Sequence, residues 1–185
     1  MPLGAPPCGF VDNEALTTIP QGQQLHQKRS IDVSPQSVIL TCQRHYWLSI
    51  HPADGRLPGR PALDPLAIAP VLPHVMLIDV EGRPPRFRYR LIGTRMVYAL
   101  GDDFTGQRLD EAHRKPGSPP PQFPSYVSVA VSGQPEWRRG PPHFASYIDR
   151  CKELERIFLP LAANGRTVDM VLTTSLFFDP SGREI

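Results

Sequence analysis

The 23 prolines among 185 residues constrain this chain more than any other feature. A proline holds φ at about −65° and removes a backbone donor, so it belongs in a loop, a first helical turn or a strand edge. Every regular element must fit between them, which makes the elements short and their boundaries legible. The length suits one domain with extensions. An apolar fraction of 40% and a charged fraction of 21% are ordinary globular values and suggest neither wholesale disorder nor a membrane protein. A net charge of +2 offers no concentrated basic footprint for nucleic acid. Cys8, Cys42 and Cys151 are widely spaced and form no C-x-x-C pair, which argues for free thiols in a reducing compartment. With no apolar run near the roughly 18 residues of a spanning helix, and no leader pattern, the expected location is the cytoplasm.

Residues 1–33 hold few clustered hydrophobes and read as a flexible tail, 34–179 as a single domain, and 180–185 as a second tail. Ser34-Pro35 is a helix-start signal, and Ile39, Cys42, Tyr46 and Ile50 recur at helical spacing, predicting a helix over 35–51. Asp64-Pro65 starts a second short one that Pro70 closes. His74 to Val80 is a nearly continuous apolar run, as in a strand buried on both faces. In Arg86 to Leu91 the arginines alternate with Phe87, Tyr89 and Leu91, a strand with one charged and one apolar face. Thr94 caps a short helix that ends at Gly101, Leu109 to His113 adds one turn, and Phe123 to Val131 has helical spacing up to Gly133. Strands are predicted at Phe144 to Ile148, Glu155 to Leu161 and Thr167 to Phe178. The last two flank Asn164-Gly165, a tight-hairpin dipeptide.

Two stretches carry a resemblance. One is Phe87-Arg88-Tyr89-Arg90-Leu91-Ile92-Gly93-Thr94 running on to Gly101-Asp102-Asp103-Phe104-Thr105-Gly106. The other is Glu155-Arg156-Ile157-Phe158-Leu159-Pro160-Leu161 followed by Asn164-Gly165-Arg166. They are similar to the signature segments, YRLxGT to GxDxTG and ERxxxPL before a D/N-G hairpin, of a stand-alone PAS-domain family found mainly in alphaproteobacteria. Arg56-Leu57-Pro58-Gly59-Arg60 resembles that family's lead-in. The resemblance spans residues 38–178, and only Pro116 to Pro121 departs from it by its length and proline content. It implies an α+β fold, a five-stranded antiparallel sheet cupping short helices on one face, with an N-terminal helical extension. It also implies sensing or partner binding without naming a ligand or cofactor.

The candidate ligand pocket is built from strand alternation. Val168, Met170, Leu172, Thr174 and Leu176 share one face of the last strand and are taken as the inner set. Thr167, Asp169, Val171, Thr173 and Ser175 share the other. Phe87, Tyr89 and Leu91 join the inner set, and Met96, Val97, Phe104 and Val127 form the opposite wall. Such a space suits a small, mostly apolar metabolite. Leu40 and Trp47 lie on a second stripe of the first helix and are expected at a homodimer interface. Arg86, Arg88 and Arg90 form either a solvated outer face or a site for a phosphate-bearing ligand or acidic partner. Cys42 with His45 is too few ligands for a metal site. His113 reads as an exposed helix-end residue rather than a haem ligand, and Asp102-Asp103 as turn residues. No nucleophile elbow or phosphate loop is present, so no catalytic residue is assigned. The function expected is a sensory module that binds a small ligand or a signalling protein. The alternatives are a ligand-free dimerisation module and, third, a small enzyme.

Overall fold

The computed structural model describes residues 36–114, 123–142 and 151–185. Helix α1 (Val38–Ser49) precedes strands β1 (Val75–Glu81) and β2 (Arg86–Ile92). Three helices follow, α2 (Thr94–Leu100), α3 (Leu109–Ala112) and α4 (Pro124–Ser132), then strands β3 (Glu136–Gly140), β4 (Glu153–Leu161) and β5 (Met170–Phe178). All neighbouring strands are antiparallel, in the order β2-β1-β5-β4-β3. The fold is α+β, an open five-stranded sheet with short helices.

Proline sets several boundaries. Pro124 starts α4 in its first turn, and Pro52 follows the last turn of α1. The stretch after Asp64-Pro65 forms turns and a 3₁₀ helix at Ala69–His74 rather than an α-helix, because Pro70 and Pro73 each remove an amide donor there. Gly101 and Gly133 end α2 and α4 in the left-handed conformation, at φ +83° and +66°. Strand β3 lies in the segment expected to be a loop between Pro135 and Pro142; Glu136 to Gly140 has little apolar content, and its pairing with β4 supplies the order. The strand expected at 144–148 lies outside the described residues. The β4–β5 connection runs through residues 162–169 and is longer than the predicted two-residue turn. Asn164 Oδ1 instead accepts from the amides of Arg166 and Thr167 at 2.9 and 2.8 Å, and Gly165 alone takes positive φ, +73°.

Both faces of the sheet are covered. On one face α1 turns Leu40, Gln43 and Trp47 toward the sheet against β4, and Trp47 Nε1 donates to the Pro160 carbonyl at 3.0 Å. Leu40 is 0% and Trp47 3% exposed. The expected dimer stripe is therefore part of the chain's own core; the burial of these residues against the sheet leaves neither available to a second copy. On the opposite face α2, α3 and α4 cover Met76, Ile78, Phe87, Tyr89, Phe158, Val171 and Phe177.

One carboxylate fastens α1. Glu155 on β4 is 0% exposed, and its Oε1 accepts from the Gln36 amide at 2.7 Å, the Ser37 amide at 3.2 Å and Trp137 Nε1 at 2.9 Å. The Ser37 hydroxyl donates to Oε2, and Arg139 stands 3.8 Å from it. Amides at a helix start lack intrahelical acceptors, so a strand carboxylate closes the end of α1 that Ser37 does not cap itself. Burial works against the Glu155 charge, but the hydrogen bonds from Ser37, Trp137 and Gln36 outweigh it and hold the carboxyl below its usual range.

The tightest approach is at Gly93, whose amide donates to the Val75 carbonyl at 2.7 Å. A Cβ there would fall 2.3 Å from the Leu72 carbonyl oxygen and 2.5 Å from that of Pro73. The obstruction is backbone, so the glycine follows from space rather than from φ. Replacing Gly93→Ala should cost about 1–3 kcal/mol or more. Gly140→Ala, with nothing within 4 Å of the new carbon, should stay within about 0.5 kcal/mol by urea unfolding. Equal costs for the two would refute the crowding.

Glu155→Leu should cost about 1–3 kcal/mol for each buried donor it leaves without an acceptor. The carboxylate contributes stability above the ordinary glutamate pKa of about 4.3, and that contribution is lost as pH falls through its lowered folded value. Glu155→Gln should therefore flatten the acid side of the stability profile, and an unchanged slope would exclude Glu155 as the source.

Candidate functional site

The inner face of the sheet, beneath α2 to α4, carries polar chemistry in an aromatic frame. Arg156 follows Glu155 on β4, so strand alternation sends it through the opposite face, the one shared by Leu154 and Phe158. Its cross-strand neighbour on β5 is Ser175, and Phe158 faces Thr173. The Arg156 Nε and Nη2 atoms are shielded from solvent, and burial lowers the pKa of the guanidinium despite the neighbouring phenols of Tyr126 and Tyr89. The hydroxyls of Thr173 and Ser175 are also buried; that of Thr173 is in hydrogen-bonding contact with the Tyr126 phenol, and that of Ser175 has no hydrogen-bond partner among the described residues.

Around this group stand Tyr89 from β2, Phe104 from the α2–α3 loop, His113 at the end of α3, and Phe123 and Tyr126 from α4. Ring centroids along the series lie 5.1 to 6.5 Å apart, from Tyr89–Phe104 at 6.4 Å to Tyr126–Phe158 at 5.1 Å. The Tyr89 hydroxyl and His113 Nε2 share a 2.8 Å hydrogen bond. Burial raises the pKa of both Tyr89 and Tyr126 and keeps them as phenols. Burial, reinforced by the Arg156 charge, lowers that of His113, which favours the neutral ring. The arrangement brings one cation, several hydroxyls and aromatic rings together on this face.

Of the expected pocket residues, Phe87, Tyr89 and Met96 belong to this inner cluster and Phe104 packs against it. Met170 and Leu172 belong to the α1 side, with Thr174 on the same face of β5, so that half of the expected set is reversed. Both faces of β5 are buried, and alternation alone does not say which meets the helices. Leu91 is 39% exposed because β2 has a bulge: Leu77 pairs with Leu91 but Ile78 with Tyr89, so Arg90 is an extra residue that shifts the alternation. Val127 is 40% exposed, since α4 buries Tyr126 and Val129 instead, and Val97 is half-buried. His113 is half-buried rather than an exposed helix end. Sequence reasoning missed Arg156, Tyr126, Phe158, Thr173 and Ser175. The available signal was a cation at a position of β4 flanked by buried residues, Leu154 to Leu161.

The arginines of β2 are each met by a carboxylate of the same chain. Arg86 reaches Asp110 at 2.8 Å, Arg88 reaches Glu81 at 2.7 Å, and Arg90 lies 3.8 Å from Asp79. Arg108 joins Glu81 at 3.2 Å, and residues 106–107 pair with Tyr89, covering the outer edge of β2. These contacts favour the solvated-face reading of the arginine row. Asp103 accepts from Thr105 within its turn, and Asp102 from the Asp103 amide. Among the described residues no group of three His, Cys, Asp or Glu side chains could hold a metal ion, and no helix is long and apolar enough to cross a membrane.

No protein-family model, curated protein or solved structure matches this chain.

The neutral state of His113 should be visible in stability. Below about pH 6.5 an unfolded histidine takes up a proton that the folded ring resists, so the unfolding free energy should fall as pH drops. His113→Gln should remove part of that slope; His74, also lowered by burial, should retain the rest. Identical slopes for variant and wild type would mean that His113 titrates normally.

Proposed function

We propose that the chain is a PAS-like sensory module that binds a small molecule between the inner face of its sheet and α2 to α4. The observation that carries the reading is the concentration of polar groups on that face: the buried Arg156 guanidinium, the Ser175 hydroxyl across the ladder from it, and the Thr173 hydroxyl against the Tyr126 phenol, framed by the rings of Tyr89 and His113. Burying polar groups costs desolvation, and a fold that needed only a core would fill these positions with hydrocarbon. A five-stranded antiparallel sheet with short helices accords with the PAS resemblance, as does the docking of its two glycine-bearing segments. Leu57 of the lead-in donates to the Gly165 carbonyl of the hairpin at 3.0 Å, and Gly93 closes against β1. Signal output through α1 and residence in the cytoplasm belong to the same proposal. A homodimer would use the outward residues of α1, Val38 and Leu48, rather than Leu40 and Trp47.

Native mass spectrometry of gently purified protein tests it. A retained small molecule, lost from the Arg156→Met variant, is the expected result. A bare dimer would instead support an interaction module, and a bare monomer would remove the ligand-binding reading.

A further inference from the structure

Helix α1 is fastened to the sheet near both of its ends. At its start the Gln36 and Ser37 amides meet the Glu155 carboxylate, and Gln36 Oε1 accepts from Arg139 Nη1 at 2.6 Å. Near its end Trp47 Nε1 donates to the Pro160 carbonyl. The helix rises about 15 Å from Ser37 to Trp47 and β4 about 16 Å from Glu155 to Pro160, so the two run side by side in step. Gln43, between the fastenings, therefore lies near the level of Ile157, whose partner across the ladder is Thr174. Gln43 is 2% and Thr174 0% exposed, and among the described residues neither the Gln43 amide nor the Thr174 hydroxyl has a hydrogen-bond partner. Polar groups cut off from water and left without partners destabilise the state that buries them. With α1 lifted, water reaches both, and that penalty is gone.

The sheet does not need α1 to hold its order. The β1-β5-β4-β3 ladder is continuous beneath the helix, and no ladder hydrogen bond passes through it. Beyond α1 the Leu57 amide donates to the Gly165 carbonyl at 3.0 Å and anchors the chain again. Residues 51–56, with Pro52 and with Gly55 at φ +74°, form the connection between helix and anchor. On the other flank the Tyr46 hydroxyl accepts from the Asp64 amide at 2.6 Å, an exposed tie open to exchange with water.

We propose that α1 is a detachable strap, opening from the folded sheet as one unit about residues 51–56, with Glu155 as its latch and the Gln43–Thr174 level as its built-in weakness. Opening uncovers Leu159, Leu161, Leu172 and Leu176, an apolar surface that only the open state presents. The strap stands whether or not the inner face holds a ligand, and it gives output through α1 a physical form.

Native-state hydrogen exchange of the full chain in increasing urea, read by mass spectrometry on α1 and β5 peptides, tests it. Without urea the α1 amides should exchange about a hundredfold or more faster than those of β5. Their rate should depend little on urea, since a local opening exposes little surface. Gln43→Leu removes the unsatisfied amide and should slow α1 exchange about tenfold. Ser37→Ala removes one donor to the latch and should speed it several-fold; it keeps the proposal testable if the leucine variant does not fold. Exchange of α1 and β5 at one rate with one urea dependence would mean that α1 leaves only on global unfolding, which overturns the strap. Faster α1 exchange in Gln43→Leu would overturn the weakness assigned to that level, and an unchanged rate in Ser37→Ala would remove Glu155 as the latch. Ligand retention is read separately by native mass spectrometry, so failure of the strap and failure of the ligand-binding reading are distinguishable.

Discussion

Glu155 and Arg156 are consecutive on β4 and therefore leave the sheet through opposite faces, and the rest of the architecture is arranged around that pair. The Glu155 carboxylate gathers the Gln36 and Ser37 amides, the Ser37 hydroxyl and the Trp137 indole, which fixes where α1 begins. With its start held, α1 lies against β4 and brings Leu40 and Trp47 down onto the sheet. A buried carboxylate with so many donors is stable as an anion but is unforgiving of loss, because each donor would be left without water or partner. The helix is thus held by a strand residue well over a hundred positions away in the chain, a nonlocal clamp.

Arg156 has the opposite consequence. Its cation sits on the face covered by α2 to α4, where a purely structural core would carry hydrocarbon, and its neighbours Tyr89, Tyr126, Thr173 and Ser175 are polar as well. The two faces therefore differ in kind. The α1 side is mostly Leu, Ile, Val and Trp, with the Glu155 carboxylate, Gln43 and Thr174 as its buried polar groups, while the helical side mixes aromatic rings with hydroxyls and a guanidinium. A face that keeps polar groups at the cost of their desolvation is the natural place to look for recognition.

The outer strands show how the sheet ends. On β2 the arginines are neutralised by Asp79, Glu81 and Asp110, and residues 106–107 pair with the strand's free edge. Exposed ion pairs of this sort contribute little stability each. Their placement instead keeps an edge strand charged, which discourages pairing with another chain.

Local chemistry was legible where a residue acts on its own neighbourhood. Prolines bounded the elements, Gly101 and Gly133 marked helix ends, the apolar run at Val75 became a doubly covered strand, and the alternation from Arg86 to Tyr89 separated charge from ring correctly. The alternation of β5 was also readable, two sets of side chains on two faces. Only the tertiary structure decided which set meets the helices, because both faces are buried and the sequence is apolar enough for either. It likewise decided that Arg90 is an extra residue in β2, which turned Leu91 outward, and that Leu40 and Trp47 are spent inside the chain. β3 acquires its order from pairing with β4, and the Glu155 clamp and the Arg156 frame unite residues from distant elements. Sequence periodicity reports what a segment can bury, whereas contact partners depend on the packing of layers that the segment does not contain.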